Sequence, residues 1–108
     1  MELDVAAPAE GRTVLGAAVL LHPHPHFGGD RFHPLVDTLY RLLPAVGFGA
    51  VRFDFASADA TTARDAGETA VAECGRRFGS SCPVAMIGYS FGAGIAAHVH
   101  GEIGRAHV

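Results

Sequence analysis

Lysine, asparagine and glutamine are absent from this 108-residue sequence, and all eight of its basic residues other than histidine are arginine. Alanine is abundant, so the pattern reads as codon bias in a GC-rich genome rather than a functional demand. Charge is sparse: the net value is −3, and the arginines form no basic stripe. That argues against nucleic acid as the main partner. No apolar run approaches the roughly 20 residues of a membrane helix, so no membrane partner is expected. Residues Met1–Ala9 carry acidic side chains and no basic start, unlike a secretory signal peptide. The only cysteines, Cys74 and Cys82, have neither metal-type nor redox-type spacing, and read as reduced thiols of a cytoplasmic protein.

What is present is enough for one small domain, since 49% of the residues are apolar. Val14–Leu21 is a continuously apolar strand, the pattern of a strand covered on both faces. The loop His22-Pro23-His24-Pro25-His26-Phe27-Gly28-Gly29 follows; its prolines and glycines exclude regular structure. Leu35, Val36, Leu39, Leu42 and Leu43 predict an amphipathic helix over Phe32–Leu43, ended by Pro44 and Gly47. Gly49–Phe55 is a second strand. Thr62, with Asp65 three places on, predicts a helix start, and Ala66, Ala70, Cys74 and Phe78 its apolar stripe, stopped by Gly79. Pro83–Gly88 is a third strand, and Phe91–His100 a third helix with small side chains.

Alternating strands and helices predict an α/β fold of three αβα layers around a mostly parallel sheet. In such sheets ligands bind outside the carboxyl ends of the strands. The histidine-proline loop and the turn Gly88-Tyr89-Ser90-Phe91-Gly92 both lie there, so they share one rim. A serine between glycines, after an apolar strand and before a small-residue helix, suits a nucleophile lifted out of the sheet. A purely structural turn is the alternative.

On these motifs the chain resembles the α/β-hydrolase superfamily, and in His22-Pro23-His24-Pro25 with Gly28-Gly29 a bacterial subgroup with a histidine-proline oxyanion loop. Val51-Arg52-Phe53-Asp54-Phe55 resembles the strand between the two motifs, although Ala56-Ser57-Ala58-Asp59 replaces the glycine-rich turn that often follows it. The resemblance implies Ser90 as nucleophile and the backbone N–H groups of Phe91 and His24 as oxyanion donors. Pro25 has no N–H to give. His26, Phe27 and Tyr89 are expected to contact a small-molecule acyl substrate, carrying an ester, thioester or amide bond cleaved through an acyl-enzyme. No cofactor is implied. A non-catalytic binding protein of the same fold is the alternative function.

A metal-binding loop is a third possibility, since His22, His24 and His26 alternate and would point the same way if extended. The prolines between them and the missing fourth ligand argue against it. His98 lies about 12 Å along a helix from Ser90 and His100 further, so neither is expected to be the base. Asp54 and Asp59 are expected to serve turn formation and loop solvation. The implied triad order is serine, acid, histidine, and few residues follow Ser90.

We therefore expect residues 1–101 to be the N-terminal half of a truncated α/β-hydrolase domain, inactive alone, with a bare sheet edge on the strand ending at Gly88. Residues 102–108 are expected to be a non-native tail. Ile103–Val108 back-translates as ATC GGA AGA GCA CAC GTC, a frame of a widely used sequencing adapter. This reading requires an open genomic frame continuing past Gly101; a genomic stop after Val108 rules it out.

Overall fold

The computed structural model describes residues 1–99 and 104–107. Five strands form one sheet in the order β1-β3-β2-β4-β5: β1 Asp4–Ala6, β2 Gly16–Leu21, β3 Phe48–Arg52, β4 Val84–Gly88 and β5 Gly104–His107. Three α-helices accompany them: α1 Pro34–Leu42, α2 Ala60–Phe78 and α3 Phe91–Ala96. Single 3-10 turns occupy Pro25–Phe27 and Leu43–Val46. The pairs β2–β3, β2–β4 and β4–β5 are parallel, and β1 lies antiparallel on β3 with Val5 opposite Val51. The chain has the α/β, mostly parallel fold read from its sequence. No helix among the described residues is long and apolar enough to cross a membrane.

The apolar run of β2 is continuous because both of its faces are covered. Ala17, Val19 and Leu21 point to one side, where they meet Phe53 just after β3, Met86 of β4, Ala63, Ala70 and Cys74 of α2 and Ile95 of α3. Ala18 and Leu20 point to the other, against Val36, Leu39, Tyr40 and Leu43 of α1 and its following turn. One helix therefore lies on one face and two on the other, with β2 at the centre. Each buried large apolar side chain contributes about 1.5–3 kcal/mol, so this two-sided burial makes β2 the anchor of the core.

Several local expectations are corrected. The first helix begins at Pro34, capped by His33, whose Nδ1 accepts the Leu35 N–H at 3.3 Å. Its packing stripe is Val36, Leu39, Tyr40 and Leu43, and Leu35 and Leu42 lie exposed on its flank. The second helix is capped by Asp59, not Thr62. Asp59 Oδ2 accepts both the N–H and the hydroxyl of Thr62 at 2.9 Å, which holds its carboxyl below the usual carboxylate range. Its buried positions are Ala63, Gly67, Ala70 and Cys74, so the predicted stripe is offset, with Ala66 and Phe78 at its margin. α3 runs only from Phe91 to Ala96, and His98 falls in the turn after it; His100 lies outside the described residues.

The N-terminal strand was not foreseen. Arg52 holds it, bonding Asp4 at 2.9 Å and Asp37 of α1 at 2.9 Å while its guanidinium lies 4.0 Å over the Tyr40 ring. The expected bare edge of β4 is also corrected: β5 pairs with it, Met86 opposite Arg105 and Gly88 opposite His107. A strand edge is a template for any extended segment within reach, and Gly104–His107 takes it.

Candidate active site

Ser90 leaves β4 with φ 55° and ψ −114°, the mirror image of the extended region, and is the one non-glycine residue with positive φ among the described residues. Such a backbone costs about 1–3 kcal/mol and persists only where its surroundings impose it. Here two glycines impose it. A Cβ on Gly88 would lie 2.4 Å from the Gly92 carbonyl, and a Cβ on Gly92 would lie 2.3 Å from the Leu21 oxygen and 2.7 Å from that of His22. The start of α3 thus sits directly on the end of β2, and the Tyr89 N–H donates to Leu21 O at 3.3 Å. The turn closes through Gly92 N–H on Tyr89 O and Ala93 N–H on Ser90 O. Ser90 is exposed, and its side chain caps nothing.

The loop after β2 begins with a buried histidine. His22 Nε2 accepts the Phe55 N–H at 2.9 Å, so the ring proton sits on Nδ1 and is donated to Pro23 O. Burial lowers the His22 pKa, against the Pro23 bond and the charges of Asp54 and Asp30. Pro25–Phe27 then makes a 3-10 turn, capped by His24 Nδ1, which accepts the His26 N–H at 3.0 Å. The Phe27 and Gly29 N–H groups both donate to His24 O at 3.1 Å. The loop is folded, not extended, so His22 parts from His24 and His26. His22 points into the core, and the His24 and His26 rings meet edge to face at 5.4 Å. Among the described residues no group of three or more His, Cys, Asp or Glu could hold a metal ion.

The two motifs meet through His24, whose ring lies 5.1 Å from that of Phe91. Among the described residues, neither the His24 nor the Phe91 backbone N–H donates a hydrogen bond to a protein acceptor. Around them the surface is aromatic: Phe27 is 83% exposed, and Tyr89, 39% exposed, stacks on His33 at 5.8 Å. His26 is exposed beside Phe27. His98 instead lines a shallow hollow with Ala60, Thr61, Arg64 and Ile95, and no described hydrogen bond or ring contact joins it to Ser90.

A larger cavity, of about 760 Å³, opens between Met1 and Glu2 and the α2 residues Thr62, Asp65 and Thr69, bounded by Arg31 and Asp54; neither Ser90 nor His24 lines it. Arg31 bonds Glu2 at 3.0 Å and lies 3.3 Å from Asp4 and 3.4 Å from Asp54. Sequence reasoning missed Arg31 and the acceptor role of His22, because both depend on partners more than 20 residues away. The alternation of histidine with proline after an apolar strand was the one local signal for His22.

No protein-family model matches the chain, and no curated protein does. Solved structures do. An α/β serine hydrolase without a lid from Xanthomonas campestris is 28% identical with a TM-score of 0.70, over 87% of this chain and 47% of that one. An α/β serine hydrolase homologue from Coxiella burnetii is also 28% identical with a TM-score of 0.70, over 88% and 49%. A protein of unknown function from Agrobacterium tumefaciens, described as a candidate α/β hydrolase, is 28% identical with a TM-score of 0.75, over 97% and 54%. The chain spans about half the length of the solved structures it matches. It has an α/β-hydrolase fold, and its structural neighbours are α/β serine hydrolase-type proteins.

Proposed function

We propose that this chain is the nucleophile-bearing half of a serine hydrolase that cleaves an ester, thioester or amide through an acyl-enzyme at Ser90. The observation that carries the reading is the backbone of Ser90, held at positive φ between two glycines that cannot bear a side chain. Strain of this kind needs a reason, and exposing a hydroxyl at the rim of the sheet supplies one.

In this mechanism Ser90 Oγ attacks the acyl carbon and loses its proton to a general base. The oxyanion accepts hydrogen bonds from the backbone N–H groups of His24 and Phe91, which have no protein acceptor among the described residues. The alcohol, thiol or amine departs with a proton, and water then releases the acyl group by the same steps. His26, Phe27 and Tyr89 border the site and would contact the acyl or leaving group. In serine–acid–histidine order the acid and base follow Ser90. Among the described residues after Ser90 there is no acid. The two free thiols support a cytoplasmic location.

A non-catalytic binding protein of the same fold is the rival reading. Activated-ester hydrolysis separates the readings. The full-length gene product is expected to turn over esters and to lose that activity on Ser90→Ala, while the 108-residue chain stays near background. Ser90-dependent turnover by the 108-residue chain at ordinary enzymatic rates, about 1–1,000 per second, contradicts the need for downstream groups. A full-length product indifferent to Ser90→Ala contradicts the hydrolase reading.

A further inference from the structure

The loop that carries His24 is gripped at both ends by two consecutive residues, Asp54 and Phe55, of the segment leaving β3. At its start the Phe55 N–H donates to His22 Nε2 at 2.9 Å, and the two rings pack edge to face at 4.8 Å. At its end the Arg31 N–H donates to Asp54 Oδ1 at 2.8 Å, while Asp54 Oδ2 lies 3.4 Å from the Arg31 guanidinium. One carboxylate therefore serves a backbone donor and a cation of the same residue. Phe55 also packs against Phe91 at 5.3 Å, so the gripping segment touches the turn that holds Ser90. Between the grips the loop is closed on itself by the two hydrogen bonds to His24 O, and Gly29 lies so close that a Cβ would fall 2.0 Å from Pro23 O.

We infer that Asp54 is a positioning residue. Through Arg31 it fixes the 22–31 loop against β3, and thereby sets where the His24 N–H sits relative to Ser90. The inference rests on the proposed oxyanion role of His24 for its consequence, but not for its geometry. The geometry calls for an oriented acceptor oxygen more than for charge as such. An exposed ion pair contributes little, and Asp54 is about half exposed. An oriented acceptor for a backbone N–H in the loop restricts the chain directly.

Amide hydrogen exchange on the 108-residue chain tests it. In Asp54→Ala the Phe27 and Gly29 amides should exchange about tenfold or more faster, while amides of β2 and β4 keep their rates. In Asp54→Asn, which retains an acceptor oxygen, most of the protection should return. Unchanged Phe27 and Gly29 rates in Asp54→Ala overturn the inference, and so does an equal acceleration of every strand amide, which would mean general loosening. In the full-length gene product, Asp54→Ala should lower kcat for an activated ester with KM held within about twofold, Asp54→Asn recovering most of the loss. An unchanged kcat removes the positioning role. Absence of Ser90-dependent turnover in the wild type would instead sink the hydrolase reading, leaving the exchange result to decide the grip by itself.

Discussion

Two glycines of the short helix α3, two positions apart, should respond to alanine in opposite directions. At Gly92 the added Cβ would lie 2.3 Å from Leu21 O, about 0.7 Å short of the 3.0 Å that real Cβ contacts respect. Both obstacles, Leu21 O and His22 O, are backbone of the central strand and the loop it feeds, so neither can rotate away. Overpacking of this kind costs about 1–3 kcal/mol, and rigid neighbours place it at the upper end. The helix propensity of alanine returns up to about 1 kcal/mol. The net loss is then about 2 kcal/mol, or a fall in Tm of about 8–16 °C for a domain of this size. At Gly94 nothing lies within 4 Å of the added Cβ. Only the propensity term acts there, damped by the shortness of the helix, for a gain of about 0.5 kcal/mol. Thermal melts followed by circular dichroism, with urea titrations at 25 °C, read both variants. Equal shifts in the two, or a Gly92→Ala protein as stable as the wild type, would refute the claim that α3 is seated on the end of β2.

Further outcomes follow from the same geometry. Ser90→Gly should raise stability by about 1–3 kcal/mol in urea titrations, since glycine alone is at ease at φ 55°, while Ser90→Ala should not. The depressed pKa of His22 means the folded state binds fewer protons than the unfolded state just below pH 6.5. Its contribution is therefore complete above pH 6.5 and lost as pH falls through that value toward the folded pKa. Urea titrations of wild type and His22→Phe across this range should show the variant with a shallower loss. At neutral pH it should be destabilised by about 1–3 kcal/mol, because the Phe55 N–H loses its acceptor. Burial pushes the Cys74 thiol up to about 11, so at pH 8 iodoacetamide should modify Cys82 first and Cys74 only on unfolding, as peptide mass spectrometry would show.

The sequence was most informative where one short stretch carries its own reason. Ala17–Leu21 reads as a covered strand because both of its faces are buried. Gly88-Tyr89-Ser90-Phe91-Gly92 reads as a strained turn because two glycines bracket a serine after an apolar run. What stayed hidden depends on distant partners. β1 is three residues with an acid at its start, and it becomes a strand through Arg52, 48 positions away. Asp59 and Thr62 are both good helix caps, and nothing local says which one the chain uses. The alternation of His22, His24 and His26 suggested one shared direction. Burial of the first ring takes His22 away from the other two, and the 3-10 turn at Pro25 folds His24 and His26 edge to face. The grip of Asp54 on Arg31 has no signature at all in either neighbourhood.

We propose that the Ser90 hydroxyl is a nucleophile aimed at a carbonyl held by the amides of residues 24 and 91. Treating the protein encoded by the complete reading frame with a fluorophosphonate and mapping the adduct by peptide mass spectrometry tests this. The expected result is a single phosphonylated peptide carrying the adduct on Ser90, absent in Ser90→Ala. A folded protein that remains unlabelled at Ser90, or is labelled equally in the variant, would contradict it.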